Sequence, residues 1–214
     1  MNEPKARLSG GDTHLAECYN TSLEAPVLKE GRMSEFVYVD NSNVFIEGKR
    51  VSAVDKGMAM DIWEAFDNKI LDQPYSVDFG KLHDFVAGSD PRQIKRALLF
   101  GSRPPPNDSL WHVAKQCGFE VIVEDRNVRN REKKIDTGLV AAMTRDAYTK
   151  TDREHDVITL VGGDGDYVPA VRQLVDDGFQ VEVVFWDHAS NELKDVCSKF
   201  VNLNPHLRML EFSR

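Results

Sequence analysis

One stretch limits what this chain can fold into more than any other. Residues 157–174 read Val-Ile-Thr-Leu-Val-Gly-Gly-Asp-Gly-Asp-Tyr-Val-Pro-Ala-Val-Arg-Gln-Leu. The first five are nearly all apolar and mostly β-branched, the composition of a strand buried on both faces of a parallel sheet. After the turn, Val168, Val171, Leu174 and Val175 recur at helical spacing, and Pro169 sits in the first turn, where its missing N–H costs nothing. The intervening Gly162-Gly163-Asp164-Gly165-Asp166 carries two acids at the carboxyl end of a strand, where open α/β sheets place their ligand sites.

A glycine-rich turn in that position first suggests a phosphate cradle, but the residues do not support one. The dinucleotide pattern needs glycine three residues after Gly165, where Val168 stands, and the Gly-Lys-Ser/Thr of a P-loop is absent. Two carboxylates would also repel a bare phosphate. A divalent cation between acids and phosphate removes that objection.

Taken in order, residues 1–34 lack sustained periodicity and hold Pro4, Gly10-Gly11 and Pro26, which reads as a tail or partly ordered arm. Residues 35–214 are expected to form one domain. Phe36-Val37-Tyr38-Val39-Asp40 is a short strand ending in an acid, followed by the turn formers Asn41, Ser42 and Asn43. Beyond a loop through Gly48, the spacing of Val54, Met58, Ile62, Ala65, Phe66 and Ile70 predicts one helix face. Asp78 is expected to cap a helix that buries Phe79, Leu82 and Phe85 and stops at Gly88. Ile94 to Phe100 is the next strand, and Asp108 is a cap for a helix running to Cys117. Cys117-Gly118-Phe119 and Asp177-Gly178-Phe179 then share one grammar, helix end, glycine, phenylalanine and strand, which marks successive βα units. Ile135, Leu139, Ala142 and Met143 give a further helix, Leu193, Val196, Cys197 and Phe200 a last one, and residues 207–212 an edge strand. The count is about five strands alternating with helices, an α/β fold with a mainly parallel sheet and right-handed crossovers.

The formal net charge of −8 argues against a general nucleic-acid binder. Its distribution matters more. Residues 126–134 hold Arg126, Arg129, Arg131, Lys133 and Lys134 against Glu132 alone, a local charge of +4 that leaves −12 on the rest. Cys18, Cys117 and Cys197 are far apart, without a Cys-x-x-Cys pair, and the six histidines include no i,i+4 pair, so neither a disulfide framework nor a zinc site is expected. Without a signal-peptide core or a membrane-length apolar run, the expected setting is intracellular and cytoplasmic.

Acids stand in suggestive settings at Asp40, at Asp136 opening a helix, and at Asp164 with Asp166. Singly, each has a plainer use: Asp166 as an N-cap, Asp136 as a complement to the helix dipole, Asn43 as an Asx turn. Asp40, ending a buried strand, is harder to dismiss, because a buried carboxylate needs partners. If the first and fourth strands are neighbours, Asp40 and Asp164 share a crevice. Carboxylates ~4 Å apart repel by about 4 kcal/mol at an effective dielectric of ~20, which calls for protons or a cation such as Mg²⁺ or Mn²⁺.

In this order and context, Asp40-Asn41-Ser42-Asn43, Lys133-Lys134-Ile135-Asp136 and Gly163-Asp164-Gly165-Asp166-Tyr167 with Pro169 resemble the NYN domains of the PIN-like nuclease superfamily, including its LabA-like group. The resemblance spans about residues 35–204. Ser190, Leu193 and Phe200 resemble the family's end, whereas Ser198 stands where many members carry Asp. The resemblance implies a three-layer α/β/α fold and a Mg²⁺- or Mn²⁺-dependent ribonuclease. Asp40, Asp136 and Asp164 would match the metal-binding triad, with Asp166 as a fourth acid and Asn43 orienting Asp40 or touching phosphate. Products with 3′-hydroxyl and 5′-phosphate ends are implied. Lys133 and Lys134 would neutralise the substrate backbone, and Arg126, Arg129 and Arg131 would guide it to the metal. Single-stranded RNA is favoured, because a crevice admits a flexible strand more readily than a duplex. Phe45 and Trp186 could stack a base, but core packing or a lid contact is the better expectation for both.

Two rivals are weighed against this. A haloacid-dehalogenase-type phosphatase shares the strand-end acid and the Gly-Asp-Gly turn, but needs acids where Ser42 and Val168 stand. A catalytically silent RNA- or protein-binding module on the same fold should have lost an acid, and all four positions are Asp. A protein partner or self-association stays open.

Overall fold

The computed structural model describes residues 34–102, 109–124 and 133–213. The expected tail at 1–34 lies almost wholly outside them, as do the proline run and the basic residues Arg126, Arg129 and Arg131. Chain order is β1 (Ser34–Asp40), α1 (Asn41–Asp55), α2 (Ile62–Asp67), α3 (Phe79–Ala87), β2 (Ile94–Ser102), α4 (Ser109–Gln116), β3 (Glu120–Glu124), α5 (Lys133–Lys150), β4 (Asp156–Val161), α6 (Val168–Asp176), β5 (Gln180–Phe185), α7 (Asn191–Val196), β6 (Lys199–Asn202) and α8 (Leu207–Leu210).

The strands form one six-stranded sheet in the order β3-β2-β1-β4-β5-β6, and every pairing is parallel. From β1 the chain winds outward through β2 to β3, then returns to β4 on the other side of β1 and winds outward again. Right-handed crossovers in opposite directions place their helices on opposite faces. On one face, α5, α6 and α7 bury Leu139, Met143, Val171, Leu174 and Leu193 against Phe36, Tyr38, Leu98, Ile158, Leu160, Val181 and Val183. The alternate strand side chains Val37 and Val39 are equally buried and point to the other face, as the pleat requires. There α1 and α3 pack on β1 and β2, with α8 against both helices and α4 beside α3.

The βα grammar read from the sequence is realised at both places. Gly118 and Gly178 adopt φ of +101° and +87°, and the N–H groups of Phe119 and Phe179 turn back to the carbonyls of Ala114 and Leu174. Both phenylalanine rings are buried. Asp78 caps α3 through the N–H groups of Gly80 and Lys81, and Gly88 ends it.

Five expectations need correction. The sheet has six strands rather than about five, because Phe200 belongs to β6 and not to the last helix. Residues 207–212 form α8 and a single antiparallel bridge, Val77 to Glu211, not an edge strand. Asn41, Ser42 and Asn43 are the first turn of α1, so no loop precedes the helix. Gly48 lies inside α1, where a Cβ would come within 2.8 Å of the Trp186 ring and 3.1 Å of the Tyr75 ring, so this glycine permits close packing. The helix predicted over Val54 to Ile70 is two helices, since Gly57 at φ +69° follows the end of α1 and Met58 and Phe66 are exposed.

Candidate active site

The strand order makes β1 and β4 neighbours, so their carboxyl ends meet where the winding direction reverses. That places Asp40 beside the turn that carries Asp164 and Asp166. Asp40 is both the last residue of β1 and the N-cap of α1: its Oδ1 accepts the Asn43 N–H at 3.1 Å. The Asn43 side-chain carbonyl accepts the Gly163 N–H at 2.8 Å. Asn43 therefore ties the start of α1 to the β4 turn, and its side chain supports the backbone beneath the acids.

The turn is built on contact. A Cβ on Gly163 would lie 2.0 Å from the Phe185 ring, and one on Gly162 would lie 3.0 Å from the Tyr167 ring. The Gly163 carbonyl accepts the Ser190 N–H at 2.9 Å, which fastens the approach to α7 to the same turn. Asp164, not Asp166, is the capping residue, its Oδ1 accepting the Asp166 N–H at 3.0 Å over the single helical turn Gly165–Tyr167. Asp164 and Asp166 both face solvent.

Tyr167 is the residue the sequence reading left without a role. Its ring is fully buried, and its hydroxyl lies 2.9 Å from Asp40 Oδ2 and 3.2 Å from Asp136 Oδ1. Asp136 projects from the first turn of α5, so one phenol oxygen joins acids from opposite helical layers. A buried phenol needs a polar partner at its tip, the one signal that could have flagged it.

The acids share one field. Burial raises the Asp40 carboxyl above its ordinary range, opposed by hydrogen bonds from Asn43 and Tyr167 and reinforced by Asp164. Asp136 is pushed up to about 6, mainly by burial and by the charge of Asp40, with smaller contributions from Asp164 and Asp166. Burial and both carboxylates push the Tyr167 phenol far up, so it remains a donor throughout the physiological range. These shifts report a site where added positive charge is favoured.

Among the described residues, no three His, Cys, Asp or Glu side chains are gathered closely enough to form a ready-made ion-binding group. The donor chemistry nonetheless suits a hard cation. The acids are oxygen ligands only, and Mg²⁺ is commonly bound through one or two carboxylates while keeping several waters.

Of the predicted site residues, Asp40, Asp136 and Asn43 are joined by hydrogen bonds through Tyr167 and Gly163, with Asp164 and Asp166 at the rim. Lys133 and Lys134 open α5 near Asp136, and their side chains lie outside the description. Trp186 is fully buried with its N–H on the Val44 carbonyl at 2.9 Å, and Phe45 packs on Phe79, so both serve the core. Ser198 pairs with Val181 through backbone N–H and side-chain hydroxyl, a supporting contact at the start of β5.

Comparison with known proteins decides the family. The model of the NYN domain matches residues 36–204. The chain belongs to the NYN domain family. NYN domains are PIN-like, a nuclease superfamily, and the match takes in every described acid of the site. A search of curated proteins gave no match. Among solved structures, a protein of unknown function from Vibrio parahaemolyticus is similar, with a TM-score of 0.58 at 16% identity over 82% of this chain and 95% of that one. At that identity the likeness supports the shared fold alone. No helix among the described residues is long and apolar enough to cross a membrane.

Proposed function

We propose that this NYN domain is a metal-dependent ribonuclease that hydrolyses single-stranded RNA, most simply as an endonuclease. The observation that carries the reading is the convergence of Asp40 and Asp136 on one phenol oxygen, beside Asp164 and Asp166, at the sheet's switch point. Asp40 and Asp136 would hold a Mg²⁺ or Mn²⁺ ion, with Asp164 and Asp166 next to it. Bound there, the cation supplies Lewis acidity toward phosphoryl oxygens and lowers the pKa of a coordinated water.

The chain's own residues do the rest. Asn43 fixes the Gly163 backbone and keeps the acid-bearing turn in register with β1. Asp164 and Asp166, exposed at the rim, keep the mouth of the crevice negative, which opposes entry of RNA without a cation. Lys133, Lys134, Arg126, Arg129 and Arg131 bring the phosphate backbone in through contacts that carry affinity without base choice.

One observation favours a second reading, a catalytically silent protein-binding module. Met60, Trp63 and Phe66 are 86%, 66% and 51% exposed around the short α2, among the acids Asp61, Glu64 and Asp67. Such a surface suits a protein better than a polyanion.

The test is cleavage of an end-labelled, structureless RNA with Mn²⁺, with Mg²⁺ and with EDTA, comparing wild type with Asp40→Asn. Metal-dependent cleavage absent from the variant is the expected outcome. Intact RNA with either metal, at protein concentrations where RNA is bound, refutes the ribonuclease and leaves the binding module.

A further inference from the structure

A phenylalanine would fill the volume of Tyr167 as well as tyrosine does. What the hydroxyl adds is a donor placed between two like-charged groups on different helical layers, 2.9 Å from one carboxylate oxygen and 3.2 Å from the other. Carboxylates that share a field move apart when nothing holds them. Here Asp40 Oδ1 is held by the Asn43 N–H, and Asp40 Oδ2 and Asp136 Oδ1 share the single hydroxyl proton of Tyr167. Tyr167 is itself fixed, because it is the last residue of the turn capped by Asp164 and its ring lies against Gly162. The hydroxyl therefore ties the spacing and rotamers of the two acids to the same turn that carries Asp164 and Asp166.

We infer that Tyr167 is the positioning residue of the acid cluster: through its hydroxyl it holds Asp40 and Asp136 at the spacing from which they take up a divalent cation. The inference rests on the metal-dependent reading above. A hydrogen bond that orients a ligating carboxylate typically changes metal affinity by about 10- to 100-fold when removed. Tyr167→Phe keeps the ring and removes only the donor.

The internal control is Tyr38, a second fully buried tyrosine, whose hydroxyl donates to Asp146 at 3.0 Å outside the acid cluster. Tyr38→Phe loses a buried tyrosine–aspartate hydrogen bond of the same kind. The experiment titrates metal-free full-length protein with Mn²⁺ alone, reading free Mn²⁺ by electron paramagnetic resonance, and follows the tyrosine near-ultraviolet difference spectrum in parallel. Tyr167→Phe should weaken Mn²⁺ binding at least about 10-fold, whereas Tyr38→Phe stays within about twofold of wild type, a shift small against that effect. Wild type should show a Mn²⁺-induced tyrosine signal that Tyr38→Phe keeps. With RNA present, the half-saturating Mn²⁺ concentration should rise in Tyr167→Phe more than the saturated rate falls.

Wild-type affinity in Tyr167→Phe, or an equal loss in both variants, overturns the positioning role and leaves the ribonuclease standing. If Tyr167→Phe does not fold, the wild-type spectrum decides: a silent tyrosine signal on saturable Mn²⁺ binding overturns the inference. Wild type that binds no Mn²⁺ overturns the metal-dependent reading and this inference with it.

Discussion

Gly163→Ala isolates how tightly the acid-bearing turn is built. A Cβ at this position would sit 2.0 Å and 2.2 Å from Cδ1 and Cε1 of Phe185. Non-bonded carbons prefer about 3.5–4.0 Å, so ring or turn must retreat by about 1.5 Å. The ring is buried against the core and cannot swing into solvent. The turn is no freer, since the Gly163 N–H is held by Asn43 and its carbonyl by Ser190. Overpacking costs about 1–3 kcal/mol, and straining two hydrogen bonds adds about 1 kcal/mol each at most. The expected loss is therefore about 3 kcal/mol, or roughly 10 °C in Tm for a domain of this size. Gly165→Ala, two residues away in the same motif, is the matched comparison. There the new Cβ meets only the Ser190 side chain at 3.5–3.8 Å, an ordinary contact. Its cost should stay within about 0.5 kcal/mol. Urea denaturation of the metal-free proteins measures both, with the slope checked for constancy. Equal stability of the two variants, in either direction, refutes the packing argument.

Three further outcomes follow from the same geometry. The raised Asp136 pKa means that, between pH about 4 and 6, the folded protein keeps a proton the unfolded chain has released. Metal-free stability should thus fall as pH rises through that window, and Asp136→Asn should flatten the profile. The shift sets a ceiling of about 3 kcal/mol, which solvent screening at a half-buried group reduces to about 1–2 kcal/mol. A variant profile as steep as wild type, by urea unfolding in EDTA, contradicts this. Asp146→Ala removes a fully buried carboxylate held by Arg96, Lys150 and Tyr38 and should cost about 3–5 kcal/mol; a urea midpoint near wild type would show the network to be dispensable. Replacing Arg126, Arg129 and Arg131 together by alanine should flatten the log–log salt dependence of single-stranded RNA binding by about 2 if each meets one phosphate. An unchanged slope in fluorescence-anisotropy titrations removes these residues from the interface.

How far the sequence carried the fold is visible in particular residues. The apolar run ending at Val161, the Pro169 helix and the two Gly-Phe units were legible because their signals are local: β-branching, a proline at a helix start and a left-handed cap. Strand order was not legible, because pairing of β1 with β4 joins residues more than a hundred positions apart, and only as a condition could Asp40 and Asp164 be placed together. Asn41, Ser42 and Asn43 misled because residues that favour turns also favour helix starts, and the cap here is Asp40 itself. Gly48 misled for a different reason: its partner, the Trp186 ring, lies across the fold. Phe200 fits a helical period and a strand equally well over so short a span. Of the site, the acids were legible as strand-end and helix-start residues. The linking hydroxyl of Tyr167 was not, since its partners come from β1 and α5.

The two ends of the sheet treat the same residue type in opposite ways. At the amino ends, Asp156 is held by Lys95 and Ser34, and Asp146 by Arg96, Lys150 and Tyr38; these partners outweigh burial and hold both carboxyls below their ordinary range. At the carboxyl ends, Asp40 and Asp136 are raised, and their described partners are the backbone N–H groups of Asn43 and Ser42 and one phenol. Acids that only maintain a fold gain from a fixed cation such as lysine or arginine, because it neutralises them permanently. Among the described residues, no lysine or arginine is paired with Asp40 or Asp136, an arrangement that the cation of the proposed function would complete. The described ion networks around Asp146 and Asp156 lie at the amino end of the sheet, and the raised carboxyls of Asp40 and Asp136 lie at the carboxyl end. The place of Asp40, at the switch point where β1 and β4 meet, follows from the strand order alone.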